Sequence, residues 1–261
     1  MPGKSIVHRM DARSKILMLL AMIGFIFAAD NYMALLLITL SSLLVVLLTR
    51  ISFMMYLKSM KVILFLVLFT GILNIFYGSG QVYWEWQFIK ITEGGVNNAV
   101  FVTIRIAAMV LVSSVLTFTT SPNDLTDGIE KLLSPLKLFH VKVHEIAMMM
   151  TIALRFIPVL LEEADKIMNA QKARGADMES GGALKRVRAM VPVLIPLFVS
   201  AFRRANDLAM AMECRCYNGG KGRTRMKIMK FGGVDLAALI YLIVVFAGVI
   251  LCNIVFPATV R

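Results

Sequence analysis

Acidic side chains are scarce in this 261-residue chain: 16 Asp+Glu stand against 28 Lys+Arg, a net charge of +12. All charged residues together reach only 17%, too few to cover a soluble domain of this size. Cysteine is rare as well, with Cys214, Cys216 and Cys252 alone. An odd count, two of them in a segment expected in the cytoplasm, argues against a disulfide framework. No G-x-x-x-x-G-K-[ST] loop occurs, so the chain itself is not expected to bind ATP. His140 and His144 stand four apart, but H-E-x-x-H is missing and a surface or helix-start role is expected. The Cys214-x-Cys216 pair is a weak signal for a soft metal. Neither a catalytic residue set nor a metal site is expected. The apolar segments hold almost no Asp, Glu or His, which disfavours a membrane enzyme. No small-residue cleavage site follows the basic residues Lys4, Arg9, Arg13 and Lys15, so the first apolar segment reads as retained.

What the chain has in abundance is apolar residues, 59% of the total. Five segments stand out: Ile16–Ala29, Met33–Thr49, Met60–Tyr77, Asn97–Phe118 and Leu236–Phe256. Runs of about 20 apolar residues suit a hydrocarbon core of roughly 30 Å. The expected fold class is an all-α integral membrane protein with about five to six membrane helices, the first of them short. Basic residues in short linkers mark the cytoplasmic side, here Arg50, Lys58 and Lys61 after the second segment. Tyr83, Trp84 and Trp86 suit the outer interface. Gly94-Gly95 reads as a break before the fourth helix. The N-terminus is then inside. In a soluble protein a charge of +12 would suggest nucleic acid. Here positive-inside topology and anionic lipid account for it, and no nucleic-acid partner is expected.

Residues 119–231 differ from the rest. They carry 18 Lys+Arg and 11 Asp+Glu, and their spacing predicts long cytoplasmic or interfacial helices. The expected division is 1–118 for the N-terminal membrane helices, 119–231 for the long-helix region and 232–261 for a last membrane helix. Ser121 is a plausible N-cap with Pro122 in the first turn of a short helix. Two long helices follow, about Val143–Arg174, ending at Gly175, and about Leu184–Tyr217, ending before Asn218-Gly219-Gly220. Each would be ~45–50 Å long at 1.5 Å per residue. They align at an offset of 41 residues: Ala164-Asp165 with Ala205-Asn206, Ala170 with Ala211, and Arg174 with Arg215. The offset also sets Glu162 and Glu163 against Arg203 and Arg204, either a clasp between helices or a solvated face.

Each repeat therefore ends in an arginine between small residues, Ala173-Arg174-Gly175 and Cys214-Arg215-Cys216. A guanidinium so placed can enter a partner's groove and meet carboxylates or backbone carbonyls. Alternatively it complements its own helix C-terminus. Met148, Met149 and Met150 on the first long helix offer a surface that can repack against partners, or ordinary core and lipid-facing filling. Arg105 lies deep in the fourth apolar segment, with Asn74 of the third as a candidate partner. An intramembrane arginine either serves function or fixes helix packing.

Several stretches resemble the transmembrane T component of energy-coupling factor (ECF) transporters, importers of vitamins and some metal ions. They are His8–Lys15, Ser121–Leu125, Leu154–Pro158, Gln171–Gly175, Pro196–Phe198 and Ala211–Tyr217. The resemblance implies a scaffold between two ATP-binding-cassette (ABC) ATPases and a membrane substrate-binding S component. It implies that Ala173-Arg174-Gly175 and Cys214-Arg215-Cys216 each dock into one ATPase. It implies that ATP and Mg²⁺ are used by those partner subunits, with no cofactor on this chain, in a prokaryotic cell membrane. Cys214 and Cys216 depart from the Ala and Gly often found in the family's second motif. The alternative reading is a self-contained permease or channel that binds its own substrate, for which Arg105 and Asn74 are the only support.

Overall fold

The computed structural model describes residues 5–77, 82–86, 89–176, 182–219 and 231–256. In chain order the helices are α1 (Ile6–Arg9), α2 (Ala12–Ala28), α3 (Tyr32–Thr49), α4 (Phe53–Tyr77), α5 (Glu93–Thr119), α6 (Pro122–Leu132), α7 (Val143–Ala173), α8 (Ala183–Cys214) and α9 (Gly233–Val255). A short antiparallel hairpin, β1 (Val82–Trp86) and β2 (Ile89–Thr92), stands between α4 and α5 and sets Glu85 opposite Lys90. The aromatic stretch expected at the outer interface lies on β1. A 3₁₀ turn, Ser134–Phe139, joins α6 to α7.

The chain forms two compact units, Met1–Gly128 with Ile228–Arg261, and Ile129–Lys227. The first holds α1–α5, the start of α6, and α9. Its core is small and apolar: Met22 and Ile26 of α2, Ala34 and Ile38 of α3, Ala108 and Val112 of α5, Val245 and Val249 of α9. Small side chains let helices approach closely where lipid supplies no hydrophobic drive. Gly128 shows how the first turns of α6 join this unit. A Cβ there would stand 3.1 Å from the Ala12 Cβ and 3.2 Å from the Ile16 Cδ1.

By length and composition, four helices among the described residues can cross a membrane: α3, Gly94–Thr119 of α5, α7 and α9. The parts Phe53–Lys61 and Ile63–Asn74 of α4 meet at 53°, and together they make a fifth if the bent pair is one span rather than a re-entrant loop. The short first segment becomes α2, which at 17 residues is near the lower limit of a spanning helix. The apolar content of α7, expected at the interface or in the cytoplasm, suffices for a crossing. Gly94-Gly95 is no break: α5 starts at Glu93 because the Thr92 hydroxyl caps it, accepting from the Gly95 amide at 3.2 Å.

Side-chain caps tie the helix ends of this unit together. Asn31 accepts from the Ala34 amide at 2.7 Å and donates to the Cys252 carbonyl of α9 at 3.0 Å. Asp11 caps α2, accepting from the Arg13 amide, and pairs with the Arg13 guanidinium at 2.7 Å. Burial tends to raise the Asp11 carboxyl, but the Arg13 side-chain and backbone hydrogen bonds outweigh it and hold its pKa below the usual carboxylate value. A carboxyl whose folded pKa is depressed contributes stability above its unfolded pKa and loses it as pH falls through the folded one. Acidification from pH 5 toward pH 3 should therefore lower the melting temperature in detergent, and Asp11→Asn should flatten that limb. An unchanged acid limb in Asp11→Asn would assign no such role to this pair.

Candidate docking site

The second unit is built on α7 and α8. Pro158 lies inside α7, and Pro192 and Pro196 inside α8. At 31 and 32 residues these helices are roughly 45–50 Å long. Both present large exposed apolar side chains, among them Ile157 and Leu161 of α7 and Phe198 and Phe202 of α8.

One polar cluster joins them. The Arg204 guanidinium donates twice to the Glu163 Oε2, from Nη2 at 2.7 Å and from Nε at 3.2 Å. The Ser200 hydroxyl donates to the other carboxylate oxygen of Glu163. Glu162 and Arg203 are exposed beside this cluster. At the start of α7, His144 Nδ1 lies 3.2 Å from the Glu130 Oε1. Met148 is half-buried, whereas Met149 and Met150 are exposed.

The two helices end in the same way. In α7 the cap residue Arg174 has φ −83° and ψ 6°, and Gly175 follows at φ 85°. In α8 the cap residue Arg215 has φ −93° and ψ 15°, and Cys216 follows at φ 55°. The closing hydrogen bonds match position for position. The Gly175 amide donates to the Lys172 carbonyl and the Ala176 amide to that of Gln171, at 2.9 and 3.0 Å. The Cys216 amide donates to the Glu213 carbonyl and the Tyr217 amide to that of Met212, at 2.8 and 3.0 Å. This is the paired bonding of a Schellman-type cap, which turns the chain through one left-handed residue. Glycine takes that conformation without strain, whereas a Cβ costs roughly 1–2 kcal/mol. Between the two caps, cysteine stands in place of glycine at this residue and in place of alanine just before the arginine.

Ala173, Arg174, Gly175, Cys214, Arg215 and Cys216 are all exposed. Neither guanidinium pairs with a carboxylate among the described residues. Each arginine stands eleven residues beyond its member of the Glu163–Arg204 pair, ~16 Å of helix at 1.5 Å per residue. The pair thus marks the same level on both helices, and each presents a free, planar, always-charged donor set at its end.

Comparison with known proteins shows the family. The model of a family described as cobalt transport protein matches residues 3–228. The energy-coupling factor transporter transmembrane protein EcfT of Ruminiclostridium cellulolyticum is 50% identical over 98% of this chain and 96% of its own length. The chain belongs to this family of energy-coupling factor transporter transmembrane components. EcfT of Clostridium kluyveri is 46% identical, covering 95% of this chain and 93% of the relative. EcfT of Bacillus subtilis is 45% identical, covering 94% and 93%. As an EcfT-like T component, the chain is a transporter membrane subunit and not itself an enzyme.

The other intramembrane candidates, Arg105 and Asn74, lie in the first unit. The Arg105 Nη2 donates to the Ala29 carbonyl at 2.7 Å, and its guanidinium carbon lies 4.7 Å from the centre of the Phe101 ring. Asn74 donates to the Thr70 carbonyl one turn back on its own helix. Arg105 thus satisfies the last carbonyl of the α2 end, and the two are not brought together. Lys15 went unnoticed as a packing residue in the sequence because it reads as part of a basic N-terminus. It is buried, and its ammonium donates to the Thr119 carbonyl at the end of α5 at 2.9 Å.

Proposed function

We propose that this chain couples two ABC-type ATPases to a membrane S component that binds a vitamin or trace nutrient. The observation that carries the reading is the duplicated helix end, with one exposed arginine held by the same cap on each of two long helices. Two matching docking ends suit two similar partners. ATP binding with Mg²⁺ draws the ATPases together, the docked ends follow, and α7 and α8 carry the motion into the membrane. The chain holds no cofactor of its own. The exposed apolar faces of α7 and α8, with Met149 and Met150 and the adjoining Met148, meet the S component. Basic Arg9, Arg13, Lys58 and Lys61 set the N-terminus and the arginine ends on the cytoplasmic side of a prokaryotic cell membrane.

The test is reconstitution in liposomes of this chain, a matched pair of ABC ATPases and an S component. Uptake of the S component's substrate should require ATP and all four proteins. The isolated chain should bind neither nucleotide nor substrate. Saturable substrate binding by the chain alone, with uptake in the absence of any ATPase, would instead establish a self-contained permease.

A further inference from the structure

Two of the three cysteines in this chain flank a single residue, Arg215. Both thiols are exposed, whereas Cys252 is half-buried in α9. Cys214 is the last residue of α8, and Cys216 is the left-handed residue of the cap. That conformation favours glycine, which stands at the matching place in α7, so the cysteine is kept there against a conformational cost. An outlier of this kind at a functional site gives reason to ask what the side chain does. At the matching α7 position, a Cβ built on Gly175 would meet nothing within 4 Å. The same cap geometry turns this position outward in α8. Ala173 and Gly175 carry no group that reacts with a thiophile, so one docking end is chemically reactive and its twin is inert.

We propose that Cys214 and Cys216 are a thiol-modification site, at which a low-molecular-weight disulfide blocks partner docking at Arg215. The proposal rests on the docking reading. In the step itself, a cysteine thiolate attacks one sulfur of the disulfide. An Sγ–S bond forms and the reagent's S–S bond breaks. The departing thiolate takes a proton from solvent and leaves as a thiol. One protein sulfur is oxidised, one reagent sulfur is reduced, and a thiol reductant reverses the exchange. A peptide-sized adduct beside Arg215 fills the space into which a partner's groove must come. The Arg174 end is untouched, so modification removes one ATPase and leaves the other. In the docked state the partner covers the thiols, so the free chain is the species that reacts.

The full-length chain in mild detergent is treated with glutathione disulfide, its adducts are counted by intact mass, and it is then mixed with the matched ATPase pair. Wild type and Cys252→Ser should gain adducts, and the Cys214→Ala, Cys216→Gly double variant should gain none. Retention of one ATPase by the modified chain should fall by about 30-fold, the loss expected when an interface anchor is blocked, and return after reduction. The double variant, compared with itself with and without reagent, should not respond. A wild-type chain that gains no adduct, or one fully modified that retains both ATPases, overturns the proposal while leaving the docking reading intact. An untreated chain that captures no ATPase overturns the docking reading, and the proposal with it.

Discussion

Arg174→Glu combined with Arg215→Glu should abolish co-purification of both ATPases while leaving the chain inserted and folded. Arginine is among the residues that dominate interface energetics, and a buried anchor is worth about 2 kcal/mol or more, some 30-fold in affinity. Reversing the charge adds repulsion from whatever carboxylates or carbonyls the guanidinium met. Each single variant should lose one partner and keep the other, because the two ends are separate and each carries its own arginine. The cost to the fold is small: both side chains are exposed, and a glutamate at a helix C-terminus opposes the dipole by only about 0.3–1 kcal/mol. Pull-down from detergent, with the melting temperature of each variant in parallel, separates lost docking from lost folding. Retention of both ATPases by the folded double variant would remove the helix ends as docking points. Arg174→Lys is a sharper comparison, since lysine keeps the charge but not the planar fork.

The largest effect on stability is expected at Asp235, in the first unit. This buried carboxylate opens α9, accepting from the Gly232 amide at 2.7 Å and from the Asp11 amide at 3.1 Å. It therefore fastens the start of the last helix to the start of α2, across nearly the whole length of the chain. Asp235→Ala strips a partner from two backbone donors and removes a negative charge that Lys15 and Arg13 feel. Hydrogen bonds to a charged group contribute about 1.5–3 kcal/mol each, so the loss should be about 3–5 kcal/mol. At about 2–4 °C per kcal/mol for a chain of this size, the melting temperature should fall by about 6–20 °C. Asp235→Asn keeps an acceptor and should lose less. Equal melting of Asp235→Ala and wild type would show that other contacts hold this junction.

Some of this architecture was open to reading because it depends on neighbours in sequence. Ser121 and Pro122 start α6, and Leu132 ends it two residues before Ser134-Pro135, as turn and cap chemistry require. The lengths of α7 and α8 followed from spacing between Gly-containing breaks, and the 41-residue offset set Glu163 against Arg204, which the structure joins by hydrogen bonds. Other features were illegible because a contact between distant residues leaves no periodic trace. The Lys15 ammonium finds the Thr119 carbonyl 104 positions away, and Asn31 reaches the Cys252 carbonyl 221 positions away. The start of α5 was misplaced by Gly94-Gly95, since a single threonine cap overrides the breaking tendency of two glycines.

By itself the sequence determined that the chain is an apolar, helical membrane protein with a basic pair of long helices, each ending in an arginine between small residues. Composition and local spacing suffice for that, because burial in lipid and helix capping act on residues close along the chain. Only the tertiary structure decided that the two ends share one cap, that a cysteine occupies its left-handed residue, and that α9 packs with α2 and α3 in one unit. The first two rest on backbone angles that residue type near the helix ends does not dictate, and the last on side chains brought together from opposite ends of the chain.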